Sequence, residues 1–140
     1  MAQVMELADE LAGLALFADL PRPQLEAVAH EFEEAWFGEG DRVLRQGLTG
    51  SGFYVILEGE VAIRASGRDV AVLGRGDFFG EVSALLGEPP SADVVAIHSL
   101  RCLHLAGPAL HDFLLAHPAV MYRMLLDQTR RLRNTTRARG

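Results

Sequence analysis

The chain is almost without cysteine: Cys102 is the only one among its 140 residues. That excludes an internal disulfide framework and a cysteine-ligated iron–sulfur cluster within one chain, and a cytoplasmic setting is expected. It also lacks any apolar run near the ~20 residues a membrane-spanning helix needs, so no membrane association is expected. The opening "MAQVMELADELAGL" mixes acids with spaced apolar residues and has none of the character of a secretory signal. There is no repeat and no low-complexity tract. Positive charge is in deficit: the net charge is −6 and the pI about 5.3, which argues against a nucleic-acid surface spread over the whole chain.

Clusters of reactive side chains are missing too. A metal needs several donors about 2 Å from one point, as His-x-His with a nearby acid supplies. His30, His98, His104, His111 and His117 are scattered and form no such group. His104 alternates with Leu103 and Leu105, the pattern of an exposed strand residue or a satisfied core one. Cys102 suits a packed small hydrophobe. Ser51 and Ser83 stand in no nucleophile-elbow context, and no acid pair, histidine or cysteine finds a catalytic partner. No metal, cofactor or enzymatic activity is expected.

What is present is an ordinary globular balance, 49% hydrophobic and 23% charged. A chain of this length suits one domain and buries roughly two-thirds of its unfolded surface. Three zones are expected within a single domain spanning 1–140. Residues 1–35 are helical: Val4, Leu7, Ala8 and Leu11, then Leu25, Val28, Ala29 and Phe32, recur at helical spacing, and Pro21 and Pro23 are placed to open the second helix. Residues 36–106 are short apolar runs punctuated by glycine, the mark of a small β-roll or jelly roll. Within it Val61 and Ile63 alternate with polar or small neighbours, Glu58-Gly59 has the form of a tight hairpin turn, and 48–52 and 65–69 form loops.

Residues 107–140 return to helix. "GPALHDFLLAHP" is a short one, halted at His117 by Pro118, which itself opens the next. In that last helix Met121, Leu125 and Leu132 share a stripe interrupted at Gln128, with Val120 and Met124 beside it. One strip suits the roll and the other a partner helix, although a helix lying only on its own core accounts for the spacing equally well. "RRLRNTTRARG" carries five arginines and no acid. It fits a solvated helix end, where arginines suit the dipole, or a contact with a partner or nucleic acid.

The stretch "GRGDFFGEVSALLGEPPSADVVA", preceded by "GFYVILEGEVAI", resembles the phosphate-binding cassette of the cyclic-nucleotide-binding domain family. The resemblance covers about residues 14–136, with the cassette at 76–93. The final helix is similar to the dimer helix of catabolite activator and FNR-type regulators, in which a DNA-binding domain normally follows. The fold implied is mainly β: a double-stranded β-helix with helices at both ends. Gly80, Glu81, Val82, Ser91 and Ala92 in the cassette, and Arg131, Thr135 and Thr136 in the last helix, are the ligand contacts that the resemblance implies.

Each implied role has a physical sense. Gly80 has no Cβ and admits a close ligand. The amides opening the helix at 81–86, Val82 among them, face phosphate oxygens. The Glu81 carboxylate accepts a ribose 2′-hydroxyl proton, or else caps its own helix. Ser91, with Ala92 beside it, donates to phosphate, or satisfies loop backbone. Arg131 lies near the ribose, and Thr135 and Thr136 reach the base, one of them across a homodimer.

The sequence departs from the family at Pro90, where the pattern has arginine, and Glu88 and Asp93 add negative charge nearby. The missing charge-assisted bonds contribute about 1.5–3 kcal/mol each, enough to move a micromolar ligand toward millimolar. Arg131, Arg75 and Arg101 are the candidate stand-ins. Three readings follow: a sensor that couples cyclic AMP, cyclic GMP or a similar ligand to movement of the last helix; a scaffold for dimerisation that has lost its ligand; or a sensor of a different small molecule. The chain by itself is not expected to bind DNA.

Overall fold

The structure, a computed structural model, describes residues 2–48 and 52–139; the loop expected at 48–52, with Ser51, lies largely outside the described residues. Two helices come first, α1 (Ala2–Ala12) and α2 (Arg22–Glu31), joined through a 3₁₀ turn at Ala15–Phe17. Pro21 and Pro23 open α2 as expected: Pro21 caps it and Pro23 sits in its first turn, where a missing N–H costs nothing. Leu7, Ala8 and Leu11 of α1 and Leu25, Val28 and Ala29 of α2 are the buried stripes. The chain then turns to strand at Glu33, inside the stretch expected to be helical. Phe32 adopts an extended conformation because its ring is drawn among Phe17, Phe53 and Phe113, with centroids 6.3, 6.2 and 5.1 Å away.

Eight strands follow among the described residues: β1 (Glu33–Phe37), β2 (Arg42–Leu44), β3 (Gly52–Glu58), β4 (Val61–Ala65), β5 (Arg68–Leu73), β6 (Phe78–Phe79), β7 (Asp93–Ala96) and β8 (Leu100–Ala106). They form two four-stranded antiparallel sheets, ordered β1-β8-β3-β6 and β2-β7-β4-β5. This is the expected jelly roll. The strand β3 reads as a continuous apolar run because both of its faces are covered. Phe53, Val55 and Leu57 join the core under the helices. Ile56 points into the roll with Val61, Val94, Leu100 and Cys102.

The turn at Glu58-Gly59 is not a hairpin. β3 lies between β8 and β6, while β4 lies between β7 and β5 in the other sheet. Gly59 makes the corner at φ +94°, and a Cβ there would stand 2.4 Å from the Ser99 carbonyl oxygen. The true hairpin is at Ser66-Gly67, where φ values of 51° and 81° join β4 to β5 in a two-residue turn. Burial along β4 is not a strict alternation, since both Val61 and Ala62 are buried.

Between β6 and β7 lies α3 (Glu81–Leu86). After β8 come a 3₁₀ turn at Gly107–Ala109, α4 (Leu110–Ala116) and α5 (Pro118–Arg139). His117 is the joint: its N–H closes α4, and its carbonyl accepts the amides of Val120 and Met121 as α5 begins. Its buried ring lies 2.6 Å from Glu31 Oε2 through Nε2 and 3.3 Å from the Gln24 amide nitrogen through Nδ1. Val120 and Met124 pack into the core, whereas Met121, Leu125 and Leu132 are 38%, 60% and 68% exposed. Arg123 ties the first half of α5 to the 3₁₀ turn by donating to the carbonyls of Ala15 and Ala18.

Candidate functional site

The stretch 76–93 folds as a bay against the roll. Asp77 fixes its entrance by accepting the Gly74 amide at 2.9 Å, and the two residues of β6 pair with Val55 and Tyr54. Gly80 then takes the left-handed region at φ +89°, and Gly87 closes α3 in the same region. A Cβ on Gly80 would stand 1.9 Å from the Gly52 carbonyl oxygen. That glycine is therefore required by packing against β3, whatever a ligand does. At the far end, Pro90 is buried and its carbonyl accepts the Gly47 amide, while Asp93 accepts the Gln46 amide at 2.7 Å. The Asp93 carboxylate is thus engaged outside the bay.

Between these segments, the roll and α5 lies a cavity of about 340 Å³. Six of the eight residues singled out in the sequence line it: Gly80, Glu81, Val82, Ser91, Ala92 and Arg131. Leu44, Ile63, Leu73, Phe79, Pro90 and Val94 make the rest of its wall largely apolar. Thr135 and Thr136 do not line it. They are exposed near the end of α5, and their hydroxyls donate back to the carbonyls of Arg131 and Leu132 at 3.0 Å. Of the candidate stand-ins for the absent arginine, only Arg131 reaches the bay. Arg75 donates to the Leu57 carbonyl at 3.1 Å from a separate groove, and Arg101 is held by Glu10, Glu34 and Glu58.

Glu81 is 4% exposed and its Oε2 has no hydrogen-bond partner among the described residues. Burial pushes its carboxyl above the usual range, opposed by the Arg131 charge, its own amide and the Gln128 side chain. Arg131 comes down from α5 and is engaged on three sides. Its Nη2 donates to the Phe78 carbonyl at 3.3 Å, its guanidinium lies 4.7 Å above the Phe78 ring, and its Nε pairs with Asp127 at 2.8 Å. The arrangement joins a buried acid on the roll to a cation on the last helix across one cavity.

Asp127 and Phe78 did not stand out in the sequence, and Gln128 stood out only as the break in an apolar stripe. The signal available for Asp127 and Gln128 was their helical spacing from Arg131, four and three residues on one face. The pair of buried His117 with exposed Glu31 carried no sequence signal either. His104, half-buried, packs its ring 4.8 Å from that of Tyr54. Cys102 is buried, and burial pushes its thiol up to about 12.

The family model described as the cyclic nucleotide-binding domain matches residues 34–117. The chain belongs to that family. As a cyclic nucleotide-binding domain it is 33% identical over 88 residues to a cGMP-dependent protein kinase of Plasmodium berghei, a match covering 62% of this chain and 10% of the kinase. Among solved structures, the catabolite activator protein of Thermus thermophilus superposes with a TM-score of 0.77 at 28% identity, over 87% of this chain and 60% of that one. A cyclic nucleotide-binding domain from Methylobacillus flagellatus superposes at 0.78 with 25% identity, over 95% and 80%. The chain thus spans a tenth of the kinase's length and 60% of the activator's. Its roll and long last helix carry the fold of these relatives.

Proposed function

We propose that this domain is a ligand-operated regulatory module without catalytic activity. A small ligand in the cavity shifts α5, and a fused or associated partner reads the position of α5. One observation carries the reading: Arg131 of α5 lines the same cavity as Glu81 of α3 while it is tied to Phe78 of β6. A ligand that engages Glu81 or Arg131 changes the tie between helix and roll. The tie is of a useful size. A charge-assisted bond to a carbonyl and a cation–π contact together contribute about 2–4 kcal/mol, comparable to the coupling energies that regulate proteins. A ligand moves the equilibrium only by its difference in affinity for the two positions of α5.

The exposed stripe of Met121, Leu125 and Leu132 supports association of two copies through α5, with Gln128 and Thr135 at the intervening positions. Such a seam brings the exposed Thr135 or Thr136 of one copy toward the other, the role the resemblance implies for them.

The test is a distance measurement between labelled cysteines at Arg68 at the start of β5 and Arg133 on α5. The buried Cys102 stays unlabelled. Arg131→Ala should lengthen or broaden the distance, and cyclic AMP, cyclic GMP or adenosine should shift it wherever calorimetry shows binding. A bound ligand that leaves the distance unchanged refutes the module. One observation favours a second reading, a ligand-free scaffold: Pro90 fills the position where the family pattern has arginine. That reading requires dimers with no binding of any of the three probes.

A further inference from the structure

We infer that the cavity takes an uncharged ligand, with hydroxyl donors on an apolar aromatic body, and discriminates against a phosphodiester. The inference rests on the sensor reading and specifies the chemistry of its ligand.

An anion moved out of water needs a free cation or a set of free donors. Among the described lining residues the one guanidinium is Arg131, already bound to Asp127 and to the carbonyl and ring of Phe78. Position 90 offers a buried proline, which has neither charge nor N–H. The start of α3 already carries a buried acid of its own, since Glu81 stands in its first turn at 4% exposure. A phosphodiester would enter beside that carboxylate with only the neutral donors of α3 and Ser91, and no unengaged positive charge, to meet it.

The same features suit a neutral molecule. Among the described residues Glu81 Oε2 is buried without a partner, an acceptor open to a hydroxyl or N–H from a ligand. Leu73, Phe79 and Val94 offer an apolar wall for a flat body. The volume, about 340 Å³, lies at the lower end of small-molecule cavities.

The probes are adenosine and cyclic AMP, which share base and 2′-hydroxyl and differ in charge. Calorimetry on the full chain should give adenosine an affinity at least about tenfold above that of cyclic AMP. Pro90→Arg, which adds the missing cation, should move the ratio toward cyclic AMP by about tenfold or more. Glu81→Gln should weaken adenosine by about tenfold, with thermal melts verifying that each variant is folded. Cyclic AMP binding as tightly as adenosine overturns the inference and leaves the sensor reading intact. No binding of either probe up to about 5 mM, a concentration corresponding to roughly 3 kcal/mol, also overturns it. Adenosine that binds without shifting the α5 distance upholds the inference and refutes the sensor reading.

Discussion

Replacing Gly80 by alanine should destabilise the domain whether or not a ligand exists. Two costs combine at that residue. Its φ of +89° lies in the left-handed region, where a side chain costs about 1–2 kcal/mol. In addition the new Cβ would stand 1.9 Å from the Gly52 carbonyl oxygen, so β3 and the start of α3 must part by about an ångström, an overpacking cost of about 1–3 kcal/mol. The sum, about 2–5 kcal/mol, is a large fraction of a normal domain stability. It corresponds to a fall in Tm of about 8–15 °C. Gly87→Ala isolates the first cost, because Gly87 has φ +68° but nothing within 4 Å of its added Cβ. Urea unfolding of both variants separates strain from clash. If Gly80→Ala and Gly87→Ala lose the same stability to within about 0.5 kcal/mol, the close approach of α3 to β3 is wrong.

Other consequences are testable in the same way. The Glu81 carboxyl is held above its usual value of 4.5, so its favourable contribution is complete below that pH and disappears as the pH rises through the folded value. Glu81→Gln has no such loss, and its stability relative to the natural chain should improve as the pH rises from 4.5 through the folded value; a constant difference in urea midpoints refutes this. Arg101→Met leaves Glu10, Glu34 and Glu58 facing one another and should cost about 2–3 kcal/mol, discounted for the exposure of Glu58. Denaturant unfolding measures it, and a loss below about 0.5 kcal/mol counts against the cluster. Leu125→Glu should convert dimers to monomers in sedimentation with little change in Tm, because the residue is exposed within one chain. A natural chain that is monomeric at about 100 µM refutes the seam.

Much of this architecture is legible in the sequence because its signals are local. Pro21 and Pro23 mark the start of α2, Pro118 marks the joint before α5, and Gly80 and Gly87 bracket α3. Features made by distant pairing are not legible. Glu58-Gly59 between two apolar runs looks the same whether the runs pair with each other or, as here, with β8 and β7. The Asp93 carboxylate, an added negative charge in the sequence, is occupied by an amide 47 residues away. Arg131 was singled out through a family resemblance, but its hold on Phe78 bridges 53 residues, and the His117–Glu31 pair bridges 86. Glu81 was legible as a candidate contact. Its orphaned oxygen is visible only once the wall around it has closed.

The corner at Gly59 has a consequence for how the molecule assembles. Because it sends consecutive strands to opposite sheets, most ladders join remote parts of the chain: Glu33 meets His104, Leu44 meets Val94, Tyr54 meets His104. Topologies of that kind acquire their native pairings late and fold in milliseconds to seconds, with the β4–β5 ribbon the main local start. The bay draws its walls from Leu44 through Arg131, so it has no existence in a half-assembled chain. Whatever molecule occupies it holds together the entire roll, and occupancy should slow global opening rather than the fraying of one segment.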